Sequence, residues 1–302
     1  MAALSTQDVI IKWLSTTYPL HEIIFTRAAI AVFFTLGLVH LEGGLSLLRS
    51  RRPHLHVARG LLLVLANVAY FLALAVMPLA EAVAIFFVAP LIITALSVPL
   101  LGERIGPLRG LAVVAGLAGV ILMLRPGLGE TSLVVLLPLV AAFCYALMQI
   151  TTRRLGVTDK ASVMAFYVQL TFLVFSATAG LTIGDGRFAG SGHPSLEFLL
   201  RAWTWPDPGD ALLFLACGCL ITVAAYLLSH AYRTSEATLL APFEYSSLPL
   251  AVIWGLLLWG DWPDPIAFLG IALIVGGGLL VFYREAVQGR VLAARRPSPP
   301  DR

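Results

Sequence analysis

Ten long apolar stretches, separated by short polar breaks, set the strongest limit on what this chain can fold into. Most of them approach the ~20 residues that an α-helix needs to cross the hydrocarbon core of a bilayer. The stretches are 2–15, 23–41, 56–76, 82–101, 108–124, 133–152, 162–183, 211–232, 237–258 and 265–283. We therefore predict an all-α integral membrane protein with ten transmembrane helices, of which the first is short.

The composition agrees with lipid as the surrounding solvent. Hydrophobic residues make up 59% of the chain and charged residues 12%, and the mean hydropathy is +0.90. A soluble fold of this length could not bury so much apolar surface. The net charge is only +3, and the basic residues are spread over loops, unlike those of a nucleic-acid-binding protein. We expect the lipid bilayer as a partner and no nucleic acid.

The distribution of Arg and Lys predicts the orientation. When the loops are numbered alternately, most basic residues fall on one side, together with the arginines of the C-terminal tail. The opposite side holds only Arg125, Arg187 and Arg201. The positive-inside rule then places both termini in the cytoplasm and the long loop 184–210 outside. Two tryptophans of that loop, Trp203 and Trp205, predict an anchor at the membrane interface.

Two parts of the chain repeat one another. Each part has a Val-Ala pair thirteen residues before a Glu-Ala pair, followed by an Ala-Pro pair inside an apolar stretch. The matched positions are Val68 with Val223, Glu81 with Glu236, and Ala89-Pro90 with Ala241-Pro242. The alternative is coincidence among helices of similar composition.

An odd number of helices per unit makes the second copy insert upside down. We therefore predict two inverted five-helix repeats, 1–127 and 131–284, and a disordered cytoplasmic tail, 285–302. Inverted repeats are typical of secondary transporters, whose substrate site lies near the midplane between the halves.

Small residues four apart predict close contacts between helices. The pairs are Ala112 with Gly116, Ala115 with Gly119, and Ala272 with Gly276. In lipid such pairs let two helix backbones approach one another, so we interpret them as packing residues.

Charged residues within the apolar stretches are few, and such residues usually face the interior of a bundle. Asp8 and Lys12 are four apart on the first helix, so they could pair on one face, either as a gate or as a neutralised surface pair. Arg27 could gate or contact a substrate. The structural alternative is a tie between the first two helices, with the side chain reaching the outer interface.

Glu244 lies well inside the ninth stretch, two residues after Pro242. An acid at that depth must be protonated, paired or in contact with water. His230, near the end of the eighth stretch, is a possible titrating neighbour. We interpret Glu244 as the first candidate for a proton carrier, with a structural role as the alternative.

Polar and aromatic residues at the middle of several stretches suggest the lining of a cavity. Binding pockets are mostly apolar and aromatic with a few placed polar groups, although aromatic residues at helical spacing also serve as plain packing. The candidates are Asn67, Tyr70, Phe71, Phe86, Phe87, Pro90, Tyr145, Met148, Gln149, Tyr226, Glu244 and Tyr245.

Enzyme signatures are lacking in the sequence. It contains neither an HExxH motif nor a Walker A loop, and its acidic residues do not cluster as metal ligands would. We expect no enzymatic activity, no cofactor and no metal site. A carrier is favoured over an ATP-driven pump for the same reason.

The order of several short motifs resembles the drug/metabolite transporter superfamily, of the ten-helix EamA type. The resembling pieces are Asp8, 12–15, 18–19, 25–27, 78–82, Pro90, 101–104, 240–246 and 260–261. The resemblance covers residues 8–283. It implies a bacterial inner-membrane protein that moves amino acids, vitamins, nucleosides or other metabolites through a central cavity.

From these observations we expect a secondary transporter that moves a small organic metabolite by alternating access. The alternatives are a channel or facilitator and an intramembrane enzyme that handles lipids. Proton coupling is a hypothesis, with Glu244, His230, Asp8, Lys12 and Arg27 as coupling or gating candidates. A monomer and a homodimer are both compatible with the sequence.

Overall fold

The computed structural model describes residues 1–50, 53–101, 107–124, 133–155, 161–190, 192–234 and 245–294, and these contain helices and loops but no β-strand. The helices are α1 Ala2–Leu14, α2 Leu20–Gly43, α3 Pro53–Leu74, α4 Leu79–Phe86, α5 Ala89–Leu101, α6 Pro107–Leu124, α7 Leu136–Leu155, α8 Ala161–Ile183, α9 Pro194–Leu200, α10 Pro208–Thr234, α11 Ser247–Trp259 and α12 Pro265–Ala294. Short 3₁₀ turns lie at Leu45–Leu48 and Leu133–Val135. The predicted all-α class is confirmed.

Within the described residues, five segments are long and apolar enough to cross a membrane. They are Leu20–Gly43, Pro53–Leu74, Leu79–Leu96, Ser162–Ile183 and Pro208–Ala225. Four shorter apolar helices are Gly110–Leu124, Leu136–Thr151, Ser247–Trp259 and Pro265–Leu280. Helix α1 has 13 residues, which corresponds to about 20 Å. The structure thus supports a multi-pass membrane protein, while the count of ten spans stays a prediction.

The predicted fourth helix, 82–101, is interrupted in its middle. Helix α4 ends at Phe86 and α5 begins at Ala89, with a turn at Phe87 and Val88 between them. The Val88 N–H donates to the carbonyl of Ile85 at 3.1 Å, which tightens the chain. Pro90 has no N–H, so the carbonyl of Phe86 loses its usual helical donor. The regular hydrogen-bond pattern of the helix is therefore interrupted at this point.

The helices pair in a regular pattern. The most extensive contacts join α6 to α12, α2 to α8 and α3 to α7. Further contacts join α10 to α2, α8 to α3, α1 to α10 and α4 to α11. The most deeply buried apolar side chains come largely from the first four helices, such as Ile11, Ile23 and Leu74. The core therefore lies where α1 to α4 meet α7, α8 and α10.

The contact between α6 and α12 depends on small residues, but not on all of those predicted. A Cβ added at Gly119 would lie 2.8 Å from the carbonyl oxygen of Gly270, and one at Gly277 would lie 2.7 Å from that of Ala112. Gly276 is exposed and meets nothing within 4 Å. The packing role predicted for Ala272 and Gly276 is therefore wrong, because both residues face outwards, away from α6.

This difference gives a matched test on adjacent glycines. Gly277→Ala should lower the thermal midpoint in detergent, because the new Cβ collides with backbone and overpacking costs about 1–3 kcal/mol. Gly276→Ala should leave the midpoint unchanged or raise it, since alanine is about 1 kcal/mol better than glycine in a helix. Equal midpoints for the two variants would contradict the described α6–α12 interface.

Candidate functional site

Arg27 lies in the interior of the bundle on α2, with 2% of its surface exposed. Its Nη2 donates to Oδ1 of Asn67 on α3 at 3.4 Å. Its guanidinium lies over the rings of Phe71 and Phe172, at 5.6 and 5.2 Å from their centroids. The suggested extension of Arg27 to the outer interface is wrong, because α3 and α8 pack against α2 and enclose the side chain.

Asp8 on α1 binds the neighbouring helix α3. It accepts a hydrogen bond from the Tyr70 hydroxyl at 3.0 Å, and Arg27 lies close enough for the two charges to attract. Asp8 does not pair with Lys12, so that prediction is wrong. Tyr70 and Leu74 are four apart on α3, like Asp8 and Lys12 on α1, so each α1 residue meets its own partner across the interface.

Lys12 binds the end of α3. Its Nζ donates to the carbonyl of Leu74 at 3.1 Å and to the carbonyl of Met77. The last carbonyls of a helix have no intrahelical donor and carry a partial negative charge, which makes them good ligands for an ammonium group. The same Nζ lies 5.2 Å from the ring centroid of Trp259 at the end of α11. Lys12 thus joins α1, α3 and α11.

Aromatic residues form a continuous row through the middle of the bundle. Ring centroids lie 5.3 Å apart between Tyr70 and Phe86, and 5.5 Å apart between Phe86 and Tyr145. Phe86 and Phe87 are 6.3 Å apart, and Phe87 and Tyr245 are 5.0 Å apart. Tyr70 comes from α3, Phe86 from the end of α4, Phe87 from the break after α4, Tyr145 from α7 and Tyr245 from the turn before α11. We call them the aromatic row.

Four members of the aromatic row are partly exposed, although each of them touches another ring of the row: Tyr70, Phe86, Phe87 and Tyr145. Asp8, Asn67 and Gln149 are partly exposed as well. The Gln149 amide donates to the Tyr145 hydroxyl at 2.8 Å. The ring contacts across the helices bring this partly exposed surface together in one region of the bundle. We therefore place a candidate cavity between α1, α3, α4 and α7.

The structure brings together most of the predicted lining. Asn67, Tyr70, Phe71, Phe87, Tyr145, Gln149 and Tyr245 lie in one connected set with Asp8 and Arg27. Pro90 lies in the first turn of α5, directly after the break. Glu244 lies outside the described residues, as do the side chains of Tyr226 and His230. Their assignment to the site stays a prediction.

Two buried amides were missed by the sequence analysis. Gln7 and Gln169 are 3% and 5% exposed, and their side-chain oxygens accept no hydrogen bond within the described part of the chain. Gln169 lies one turn before Phe172 on α8, hence on the face of α8 that meets Arg27. A glutamine inside an apolar stretch is visible in the sequence and could have drawn attention to both.

The long loop was predicted only as an interfacial anchor, but it also covers one end of the bundle. The Ser195 hydroxyl donates to the carbonyl of Leu72 at 2.9 Å, and the Thr204 N–H donates to Oε2 of Glu22 at 3.1 Å. The Tyr18 hydroxyl donates to Oδ2 of Asp210 at 2.8 Å. Trp203 packs on Phe25, whereas Trp205 is 94% exposed. This end of the bundle is the one at which Lys12 lies.

Comparison with known proteins supplies the context for this cavity. Residues 1–125 match the EamA-like transporter family. A riboflavin transporter of Rhizobium johnstonii is 28% identical over 94% of this chain and 88% of its own length. An S-adenosylmethionine uptake transporter of Rickettsia prowazekii is 25% identical over 93% and 89%.

Two further likenesses cover most of the chain. The pseudopaline exporter CntI of Pseudomonas aeruginosa is 27% identical over 90% of this chain and 89% of its own length. One solved crystal structure shares the fold with a TM-score of 0.61, at 22% identity and over 95% of this chain and 96% of the other.

The proximity of Asp8 and Arg27 predicts energetic coupling between them. Arg27→Met should destabilise the protein, because it leaves the Asp8 carboxylate without its nearby cation. Adding Asp8→Asn should recover part of the loss, so the double variant should deviate from additivity by about 0.5–3 kcal/mol. Unfolding free energies in detergent measure this cycle.

The exposed pair Asp185 and Arg187 serves as the control for that cycle. Its charged atoms lie 3.5 Å apart, and more than half of each side chain is exposed. Such a pair contributes about 0–1 kcal/mol, so Asp185→Asn and Arg187→Met should be nearly additive. If the effects of Asp8→Asn and Arg27→Met on the unfolding free energy were additive as well, Asp8 and Arg27 would not stabilise each other.

Proposed function

We propose that this chain is an EamA-type transporter of the drug/metabolite transporter superfamily and that it carries a small organic metabolite across the bacterial inner membrane by alternating access. The observation that carries the proposal is the partly exposed set of polar and aromatic side chains at the break in the fourth predicted span. Interrupted helices that line a midplane cavity are the usual location of a substrate site in secondary transporters. The transport of riboflavin and S-adenosylmethionine by relatives supports a substrate of metabolite size.

The pairing of the helices supports two inverted repeats. In such a repeat, α1, α2, α3, α4–α5 and α6 would correspond to α7, α8, α10, α11 and α12. The two-fold rotation that exchanges the halves would then leave three contacts unchanged: α2 with α8, α6 with α12, and α4 with α11. The contact of α3 with α7 would map onto that of α1 with α10, and α2 with α10 onto α3 with α8. A two-fold axis between the halves requires this symmetry.

Alternating access needs one end of the cavity to close while the other opens. We propose that the end at Lys12 is the outer one, in agreement with the positive-inside orientation and cytoplasmic termini. There Lys12 would close the cavity by joining α1 and the end of α3 to Trp259 of the second half. The covering loop 184–210 would reinforce this closure through Ser195 and Thr204.

Proton coupling is part of the proposal, and its candidates are Asp8, Glu244 and His230. Asp8 faces the cavity, while Glu244 rests on the sequence alone. A carboxyl group that holds either a proton or the substrate would release the proton when it binds the substrate and take one up when the substrate leaves, which would couple the two movements. A monomer and a homodimer would both allow this mechanism.

Counterflow in proteoliposomes tests the carrier proposal. Vesicles that contain the purified protein are loaded with an excess of unlabelled solute and diluted into a trace of the labelled one. The panel comprises riboflavin, S-adenosylmethionine, amino acids and nucleosides. A carrier should accumulate at least one labelled solute transiently above its equilibrium level, and the flux should saturate. Unsaturable flux, or an absence of counterflow for every member, would overturn the carrier mechanism.

Removal of the Lys12 ammonium should open the outer end. In a background without native cysteines, Phe87→Cys supplies a thiol in the cavity for a charged, membrane-impermeant methanethiosulfonate reagent added outside. Lys12→Met should raise the rate of labelling several-fold, because two carbonyls and the Trp259 ring lose their shared partner. Trp13→Met, at the neighbouring residue that is 54% exposed, should leave the rate unchanged. An equal rate for Lys12→Met and its parent would exclude this closing role.

A further inference from the structure

Four rings of the aromatic row keep free surface, unlike the buried aromatic residues of the core. Phe71, Phe172, Phe198 and Phe214 are at most 3% exposed and serve the core. Tyr70, Phe86, Phe87 and Tyr145 keep part of their surface, and neighbouring planes in the row are inclined by 34° to 73°. Inclined rings with free faces or edges can receive a further planar ring in stacked or edge-to-face contact. The row is therefore suited to an aromatic guest.

Among the described ionic groups near this space, the Asp8 carboxyl is the one with a partly exposed residue, and Arg27 is its nearby cation. Asp8 is partly exposed, and the one hydrogen bond it accepts from a described residue comes from Tyr70. A carboxylate offers about four acceptor positions, so it can take further donors from the cavity. Arg27, in contrast, is 2% exposed and is enclosed by Asn67 and two rings. The Lys12 ammonium is bound to two backbone carbonyls.

Tyr70 connects the charge to the rings. Its hydroxyl donates to Asp8, and its ring lies 5.3 Å from that of Phe86, so the carboxylate is one residue away from the open part of the row. A cation bound at Asp8 would also lie near the Tyr70 ring, and cations are attracted to aromatic faces. Further along the row, the Gln149 amide at Tyr145 offers polar contacts for a heteroaromatic ring.

We infer that this cavity takes a planar aromatic or heteroaromatic compound that carries a protonated amino group, with the amino group at Asp8 and the ring along Phe86, Phe87 and Tyr145. The inference rests on the proposed function, since it names the substrate class of the same cavity. An aromatic anion would meet the Asp8 carboxylate, and an aliphatic amine would leave the open rings without a partner. Both should therefore bind weakly.

Three small probes separate these classes on the purified wild-type protein. Tryptamine has the ring and the cation, 3-indolepropionate has the same ring with an anion, and 2-cyclohexylethylamine has the cation without an aromatic ring. Isothermal titration calorimetry should give tryptamine at least a tenfold lower Kd than either of the others. Equal affinities, or tighter binding of 3-indolepropionate, would overturn the inference.

Matched variants test whether the named residues are responsible. Asp8→Asn keeps an acceptor for Tyr70 but removes the charge, and it should weaken tryptamine binding at least tenfold. Phe86→Leu should weaken it and leave 2-cyclohexylethylamine unaffected. The controls are Asp185→Asn and Phe188→Leu in the exposed loop, which should bind tryptamine like the wild type. Full affinity in Asp8→Asn would place the amine site elsewhere and refute the assignment.

Counterflow distinguishes a failure of this inference from a failure of the proposed function. If tryptamine binds as expected while no solute shows counterflow, the binding site stands and the carrier mechanism fails. If counterflow occurs for a solute without a ring or an amino group, and tryptamine neither binds nor competes, the carrier stands and the substrate class is wrong.

Discussion

A charge placed in the apolar interior of a bundle must find an opposite charge, hydrogen-bond partners or water, and this requirement organises the centre of the protein. Three ionic side chains of the first two helices meet it in three ways. Arg27 is enclosed by an amide and two rings, Lys12 is held by backbone carbonyls, and Asp8 is bonded to a phenol and keeps access to the cavity. All three bonds reach α3, so this helix is the common partner that fixes α1 and α2.

The break after α4 is the second element on which the site depends. A continuous helix would direct Phe86 and Phe87 at about 100° to each other and would bond every carbonyl internally. The turn at Phe87 and Val88, followed by Pro90, interrupts this geometry next to Tyr70 and Tyr145. Irregular backbone at this depth is tolerated where it is buried in protein or lines a cavity. The break and the partly exposed rings beside it therefore belong to one feature.

Much of the site could be anticipated from the sequence, because polar residues inside apolar stretches are rare, and a few polar groups among aromatic residues are typical of a binding pocket. Asn67, Tyr70, Tyr145 and Gln149 were found in this way and lie in one connected set. The residues that each of these side chains contacts on other helices were not predictable. Spacing along α1 favoured a bond between Asp8 and Lys12, but helical spacing contains no information about the helix that packs alongside. The buried position of Arg27 was missed for the same reason.

The sequence by itself determined that the chain is all-α and suited to a membrane, since hydropathy and length depend only on local composition. It also identified the residues whose chemistry is unusual in lipid. Tertiary structure decided which helix faces meet: that Gly277 rather than Gly276 packs against α6, that Asp8 binds Tyr70, and that Lys12 joins α1 to α3 and α11. A periodic pattern gives the faces of one helix, but only the packed bundle selects the partner for each face, because close packing and the pairing of buried polar groups are properties of several helices together.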